Sequence, residues 1–348
     1  MRAQLRRHYA VPGLGKTSPQ AVFWSQSARH LLQRQRGAPA GFGRSGGRGR
    51  ETVTKRETVE RRLSEVPPGV IRPYTQTELK SVFSTLKDIG KAEPAVAALL
   101  AGESPLKDFI AAAFTLSPYL RDMAAADEGL LTLAISKPLE PLLTDLVRDA
   151  RDCWKPAEDA VPVENEVMSR LRIAKRRLSF VAALADLARI FTARDTTRWL
   201  SEMADASLSA AIDHLLLSAH ESGKLKLKNL AAPSEGSGLI VLGMGKLGAR
   251  ELNYSSDIDA VVFFEPSAGI IDDPYDATEN FGRMMRRLVR IMQERTADGY
   301  VFRTDLRLRP DPGLNAARHP RGSGAALLRG QGSELGTRRL YQGAAGCR

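Results

Sequence analysis

Two aspartates one residue apart, Asp257 and Asp259, stand at the head of the apolar run Ala260-Val261-Val262-Phe263-Phe264. Side chains of an extended strand repeat every second residue, so the two carboxylates share a face. Side by side they repel each other, and a folded chain tolerates such a pair best around a cation. Mg2+ takes oxygen ligands and is commonly held by one or two carboxylates together with substrate phosphates. The pair therefore reads as the metal end of a phosphoryl- or nucleotidyl-transfer site. A third acid lies in the stretch from Val301 to Pro310. Alternation there puts Arg303, Asp305, Arg307 and Arg309 on one face and Phe302, Thr304, Leu306 and Leu308 on the other. An acid among three arginines on a further strand suits a third metal ligand with phosphate-binding neighbours.

The elements needed to position these groups are legible upstream. Leu239-Ile240-Val241-Leu242 is a short apolar run, and Gly243-Met244-Gly245-Lys246-Leu247-Gly248 follows it. Glycines at such a turn let backbone N–H groups approach a phosphate, and a helix start adds its positive end. The expected order is strand, glycine-rich turn, short helical piece, Ser255-Ser256, then the strand that opens with Asp257. Three plainer readings compete. Gly243, Gly245 and Gly248 fit G-x-G-x-x-G, but a dinucleotide fold places a single acid about 20 residues on. A Walker loop fails because Leu247, not Ser or Thr, follows Gly245-Lys246. A solvated acid pair at a strand end remains, and the upstream turn and the downstream third acid weigh against it.

Gly243 to Phe264, GMGKLGARELNYSSDIDAVVFF, resembles the glutamine-synthetase adenylyltransferase/adenylyl-removing enzymes, members of the DNA polymerase β-like nucleotidyltransferases. Gly299 to Gly313, GYVFRTDLRLRPDPG, matches the same family. A weaker likeness runs upstream from about Pro105 and includes Ser117-Pro118-Tyr119-Leu120-Arg121. The resemblance implies an α+β chain, a helical part followed by a nucleotidyltransferase domain with a small mixed sheet. It implies Asp257, Asp259 and Asp305 as metal-binding, catalytic carboxylates. Gly243, Gly245, Lys246, Ser255 and Ser256 would line the phosphate site, with Arg307 and Arg309 near it. It also implies Mg2+, with glutamine synthetase, a PII signalling protein, ATP or ADP and phosphate as partners. The helical lead-in resembles the half of these enzymes that removes AMP from a tyrosine by phosphorolysis. A catalytically dead regulatory fragment, and a nucleotidyltransferase acting on another acceptor, stay open.

Composition narrows the class. The 348 residues are 43% hydrophobic, enough for proper cores, and suffice for two domains. No apolar run approaches the ~20 residues of a membrane helix. Two cysteines, Cys153 and Cys347, imply no disulfide framework and fit a reducing cytoplasm. The net charge of +11 is uneven: residues 1–50 carry +10, residues 312–348 carry +5, and the span between carries −4. The basic ends, not the motif-bearing body, produce the charge, so nucleic acid is not the expected partner.

Four segments are expected. Residues 1–65 read as a disordered basic extension, Arg-, Gly- and Ser-rich. Its acid-free start imitates a transit peptide, and translation from upstream of the true start is the preferred explanation. Residues 66–230 read as helical. Thr75-Gln76-Thr77-Glu78 has capping-box spacing, Leu106, Phe109, Ile110 and Phe114 keep helical spacing, and Pro118 marks a break or kink. A stripe from Val163 to Leu187 predicts a long helix, with Arg170, Arg172, Lys175, Arg176 and Arg177 as its solvated face. Asn229 to Ser237 reads as a polar linker. Residues 231–313 form the nucleotidyltransferase core, with a helix from Tyr275 to Arg295. Residues 314–348 are Arg/Gly/Ala-rich without periodicity. Permitted codons for His319 to Arg329, shifted by one base, read IPVEAALLYYE, which resembles the family's next segment. The tail therefore reads as a frameshifted, disordered sequence.

Overall fold

The computed structural model describes residues 60–306 except 74, 157–160, 266–267 and 272–273, together with the backbone of 339–341. Arg307, Arg309, most of the basic extension and most of the tail lie outside the described residues.

The helical part is built from α1 (Gln76–Ala92), α2 (Pro94–Ala101), α3 (Pro105–Leu116), α4 (Pro118–Ala126), α5 (Leu130–Ser136), α6 (Leu139–Asp152), α7 (Glu164–Leu187) and α8 (Ala193–Glu221). Local chemistry sets the boundaries. The Thr75 hydroxyl accepts from Glu78 N at 3.1 Å and starts α1 as the spacing predicts. Pro94, Pro105 and Pro118 each open a helix, where a missing N–H costs nothing. The break expected at Pro118 falls at Ser117, which ends α3 and caps α4. Thr192 and Asp195 make a reciprocal capping box at the start of α8.

The described chain is ordered earlier than the expected boundary at residue 65. Leu63 is fully buried in a 3-10 turn. The Arg61 guanidinium donates to Glu140, to the Ile190 carbonyl and to Asp195, and its own carbonyl accepts from Leu139 N. One buried leucine and one multiply bonded arginine suffice to dock this segment.

The sheet-bearing part comprises β1 (Leu239–Gly243), α9 (Gly245–Gly248), β2 (Ile258–Phe264), α10 (Pro274–Gln293) and β3 (Thr304–Asp305). β1 and β2 are antiparallel, β2 and β3 parallel, so the sheet is mixed. A parallel neighbour needs a crossover, and α10 supplies it. The backbone of Arg339–Tyr341 adds β4, antiparallel to the other edge of β1. Those three residues depart from the expectation of a tail without order; an unpaired sheet edge is a ready template for any extended segment within reach.

Alternate residues of β1 and β2 face the helices. Leu239, Val241, Ile258 and Ala260 join the helical core, with Leu288 and Ile291 of α10. That core is continuous from Leu63 through α8 to Phe302. Leu242 and Val261, on the opposite sheet face, form a second small cluster with Met244. Asp259 shares the parity of Val261 and Phe263, so it stands on this second face, away from the helices.

Of the basic residues of α7 only Arg170 is exposed as expected, paired with Glu166 one turn earlier; the others are drawn inward. Arg172 is buried, donating to the carbonyls of Met168 (2.7 Å), Gly299 (2.9 Å) and Glu294 (2.6 Å). Arg176 and Arg177 pair with buried Asp127 at 3.2 and 2.7 Å. Lys175 lies 5.6 Å from the Tyr300 and Phe302 ring centroids, and burial lowers its pKa. The reason is tertiary: these heads meet carbonyls and a carboxylate supplied by distant segments. The polar stretch Asn229–Ser237 is likewise docked, with Ser234 donating its N–H to Asp213 at 3.1 Å.

Candidate active site

Asp259 and Asp305 are Cα partners in the parallel register of β2 and β3, as Ile258 and Thr304 are one step earlier. Two parallel strands beginning together thus bring two acids from positions 46 residues apart side by side. The expected third strand is shorter than the sequence pattern implied. Its described pairing covers Thr304 and Asp305, because Val301 N and Phe302 N both bond the Met292 carbonyl at the end of α10, each at 3.0 Å. The turn beyond α10 therefore delivers Asp305, and Arg172 fastens that turn to α7.

The glycine turn closes on the same acids. Met244 N donates to the Asp259 carbonyl at 2.8 Å. Gly245 has φ +51°, and a Cβ there would stand 3.2 Å from Asp259 Oδ2. Glycine is required both by the left-handed backbone and by the close carboxylate. Gly243 pairs with Ala260 in β1–β2. Lys246 is exposed, and its charge acts on Asp259.

Asp259 has its pKa raised. Burial is the largest cause, followed by the negative charges of Asp305 and Asp257, with Lys246 opposing. Like charges held together at an edge are the signature of a cation site or an acid–base site.

Asp257 precedes the strand and is oriented differently. Arg303 Nε donates to Asp257 Oδ1, and Arg303 Nη2 donates to the Ser255 carbonyl at 2.9 Å. Among the described residues no three carboxylates converge as a preformed metal cluster. The donor set still fits a hard dication: Asp259 and Asp305 in register, Asp257 beside them, and a raised Asp259 that a positive ion would relieve.

Ser255 and Ser256 lie in a loop organised by a residue the sequence reasoning missed. Asn253 Oδ1 accepts from Ser255 N at 3.0 Å and from the Ser256 hydroxyl at 2.9 Å, and Ser256 Oγ accepts from Asn253 N at 3.2 Å. The signal was available, since Asn bonds its own backbone two residues on. The loop is anchored to α8 by Arg250, which pairs with buried Asp205 at 3.2 Å, and by Leu252 N, which donates to Ser201 Oγ at 3.3 Å. Arg303 was placed among phosphate-binding neighbours; here it holds Asp257.

The arrangement is a polymerase-β-like nucleotidyltransferase fold, with one acid on β2, a second just before it and a third on the neighbouring strand. A bifunctional glutamine synthetase adenylyltransferase/adenylyl-removing enzyme of Agrobacterium fabrum is 94% identical over 280 residues, covering 80% of this chain and 28% of the relative. Enzymes of the same description from Rhizobium meliloti and Mesorhizobium japonicum are 55% and 49% identical, covering 74% and 68% of this chain. The chain spans about a quarter of the length of these relatives. The glutamate-ammonia ligase adenylyltransferase model matches residues 108–320, from within α3 to beyond Asp305, and the chain belongs to that family.

Proposed function

We propose that this chain carries the adenylyl-removing chemistry of its family, acting on glutamine synthetase. The carrying observation is the register of Asp259 with Asp305 beside Gly245, inside the matched residues. The relatives are named for both adenylyl transfer and adenylyl removal. The helical lead-in favours the removing half.

In the proposed reaction an oxygen of inorganic phosphate attacks the AMP phosphorus in line. The bond from that phosphorus to the tyrosine oxygen breaks, the phenolate takes a proton, and ADP leaves. Asp257, Asp259 and Asp305 would hold Mg2+, which supplies charge neutralisation and alignment. Gly243, Gly245 and Lys246 would border the phosphates. Ser255 and Ser256 would present the loop that Asn253 shapes. Arg307 and Arg309, beyond the described residues, would bind phosphate oxygens. A PII protein as regulator, ATP or ADP as ligand and a cytoplasmic location belong to the same reading; among the described residues no helix is long and apolar enough to cross a membrane.

The test uses adenylylated glutamine synthetase, phosphate and Mg2+, with this chain and with one read one base on after Gly313. ADP and unmodified enzyme are the expected products. Free AMP released without dependence on phosphate would overturn phosphorolysis. Activity on another adenylylated protein alone would favour the other-acceptor reading.

A further inference from the structure

Arg303 belongs to two places at once. It holds Asp257 and the Ser255 carbonyl, and it also lines a surface cavity of about 460 Å3 with Arg290, Gln293, Glu294, Arg295 and Tyr300. Three arginines face one glutamate there, so the lining is cationic. Arg290 is engaged by Glu294 at 2.7 Å and approaches Glu164 at 3.8 Å. Arg295 stacks over the Tyr300 ring at 5.5 Å and has no ion pair among the described residues. Lys175 stands against the same ring from α7. Planar guanidinium groups around a cavity of this size suit a phosphate-class oxyanion, which they bind bidentately.

Asp257 cannot serve Arg303 and a dication equally well. A guanidinium in hydrogen-bond contact with a metal-bearing carboxylate meets a second positive charge at short range. We infer that Arg303 is an exchangeable counter-ion: a dication at Asp257 displaces it, and the freed guanidinium completes an oxyanion site with Arg295 in the cavity. Cation and oxyanion binding are then coupled, and by linkage each strengthens the other by the same factor. This rests on the proposed metal-dependent reading, but it is a statement about binding and needs no turnover.

Calorimetry on the full chain tests it, titrating Mg2+ with and without inorganic phosphate, and phosphate with and without Mg2+. Each ligand is expected to tighten the other. In Arg303→Gln, Mg2+ should bind about two- to fivefold tighter, the size of an exposed ion pair. Phosphate should bind about tenfold weaker, and the coupling should vanish. Arg295→Gln should weaken phosphate while leaving Mg2+ affinity alone when phosphate is absent. AMP titrated in parallel distinguishes the source: tighter AMP than phosphate makes the cavity a site for the nucleotide's phosphate. Unchanged Mg2+ affinity in Arg303→Gln, or wild-type coupling in that variant, overturns the inference. Coupling with no adenylyl chemistry on any substrate would instead sink the functional reading and leave this one standing.

Discussion

Asp127, buried at the end of α4, and Asp259, half-buried at the head of β2, have their charges handled in opposite ways. Burial alone would raise the pKa of Asp127. Hydrogen bonds and charge from Arg177, then Arg176, outweigh it and hold the carboxyl below its usual range. Asp259 is raised by burial and raised further by Asp305 and Asp257. Several buried charges of the helical part are satisfied: Glu93 accepts from Gly129 N, Thr132 N and the Thr132 hydroxyl, and Arg172 finds three carbonyls, although the His214 ring and Trp199 Nε1 are buried without a hydrogen-bond partner among the described residues. The sheet edge sets acids against each other. Paired acids report architecture, and confronted acids report a site kept for something absent from the fold's own interactions.

The comparison breaks most visibly if a confronted acid proves dispensable for chemistry. Asp259→Asn removes one anionic ligand at almost constant volume. Turnover in the adenylyl-removal assay should fall by more than about 100-fold, since even residues behind metal ligands cost 10–100-fold. The circular dichroism should not change. Wild-type rates in this variant would remove Asp259 from the site.

A charge in the helical part should behave in the reverse manner, with stability rather than chemistry at stake. Arg172→Met keeps the length of the buried stem but removes the donor to the Glu294 carbonyl and one of the donors to the Gly299 carbonyl, which keeps Thr296 N. The expected loss is about 3 kcal/mol, from several unmade hydrogen bonds partly offset by a better-packed apolar head. Because that donor also fixes the turn before β3, Mg2+ affinity should weaken alongside. Denaturant unfolding checks the first part. A loss below about 1 kcal/mol would show that the bonds contribute little. Asp127→Asn is the milder counterpart, at about 1–2 kcal/mol, because both arginine heads reach solvent. Its effect has a pH signature. The lowered pKa gives Asp127 stability above its unfolded value near 3.9, lost as pH falls through the folded value. Wild type and variant should therefore converge as pH falls well below the unfolded value. A gap that stays constant as pH falls through the acid range would mean the pair acts by packing alone.

How much of this could be read from the chain differs between the two regions for a physical reason. The sheet edge was legible because its signals are local: Asp257 and Asp259 one residue apart, glycines at 243 and 245, and an apolar strand behind each. The start of α1 at Thr75 was legible from capping-box spacing, and the existence of α3 and α10 from apolar spacing. The α7 arginines were not, because their partners lie up to 127 residues away and are mostly backbone carbonyls, which carry no sequence signal. Spacing alone leaves a basic side chain on a helix solvated by default. The Arg303 contact with Asp257 was hidden for a similar reason: alternation put Arg303 on the right face, but register alone decides which acid it meets.

The smallest effect is the sharpest test of the comparison. Asp259 has a folded pKa above its unfolded value near 3.9, so its charged form is disfavoured in the fold. The stability associated with its protonated form is present below that unfolded value and is lost as pH rises through the folded one. Asp259→Asn cannot ionise and escapes the loss. Without divalent cations at pH 7 the variant should equal or exceed wild type, by less than about 1 kcal/mol, because the group is partly solvated and screened. The gap should close as pH drops to 4. Saturating Mg2+ should reverse the order: wild type gains the linkage energy of the ion, about 2.7 kcal/mol at a hundred times Kd, and the variant gains little. Thermal melts at pH 4 and 7, with and without Mg2+, measure all four corners. If Mg2+ stabilises both proteins equally, Asp259 does not hold the ion, and the contrast between confronted and paired acids loses its functional meaning.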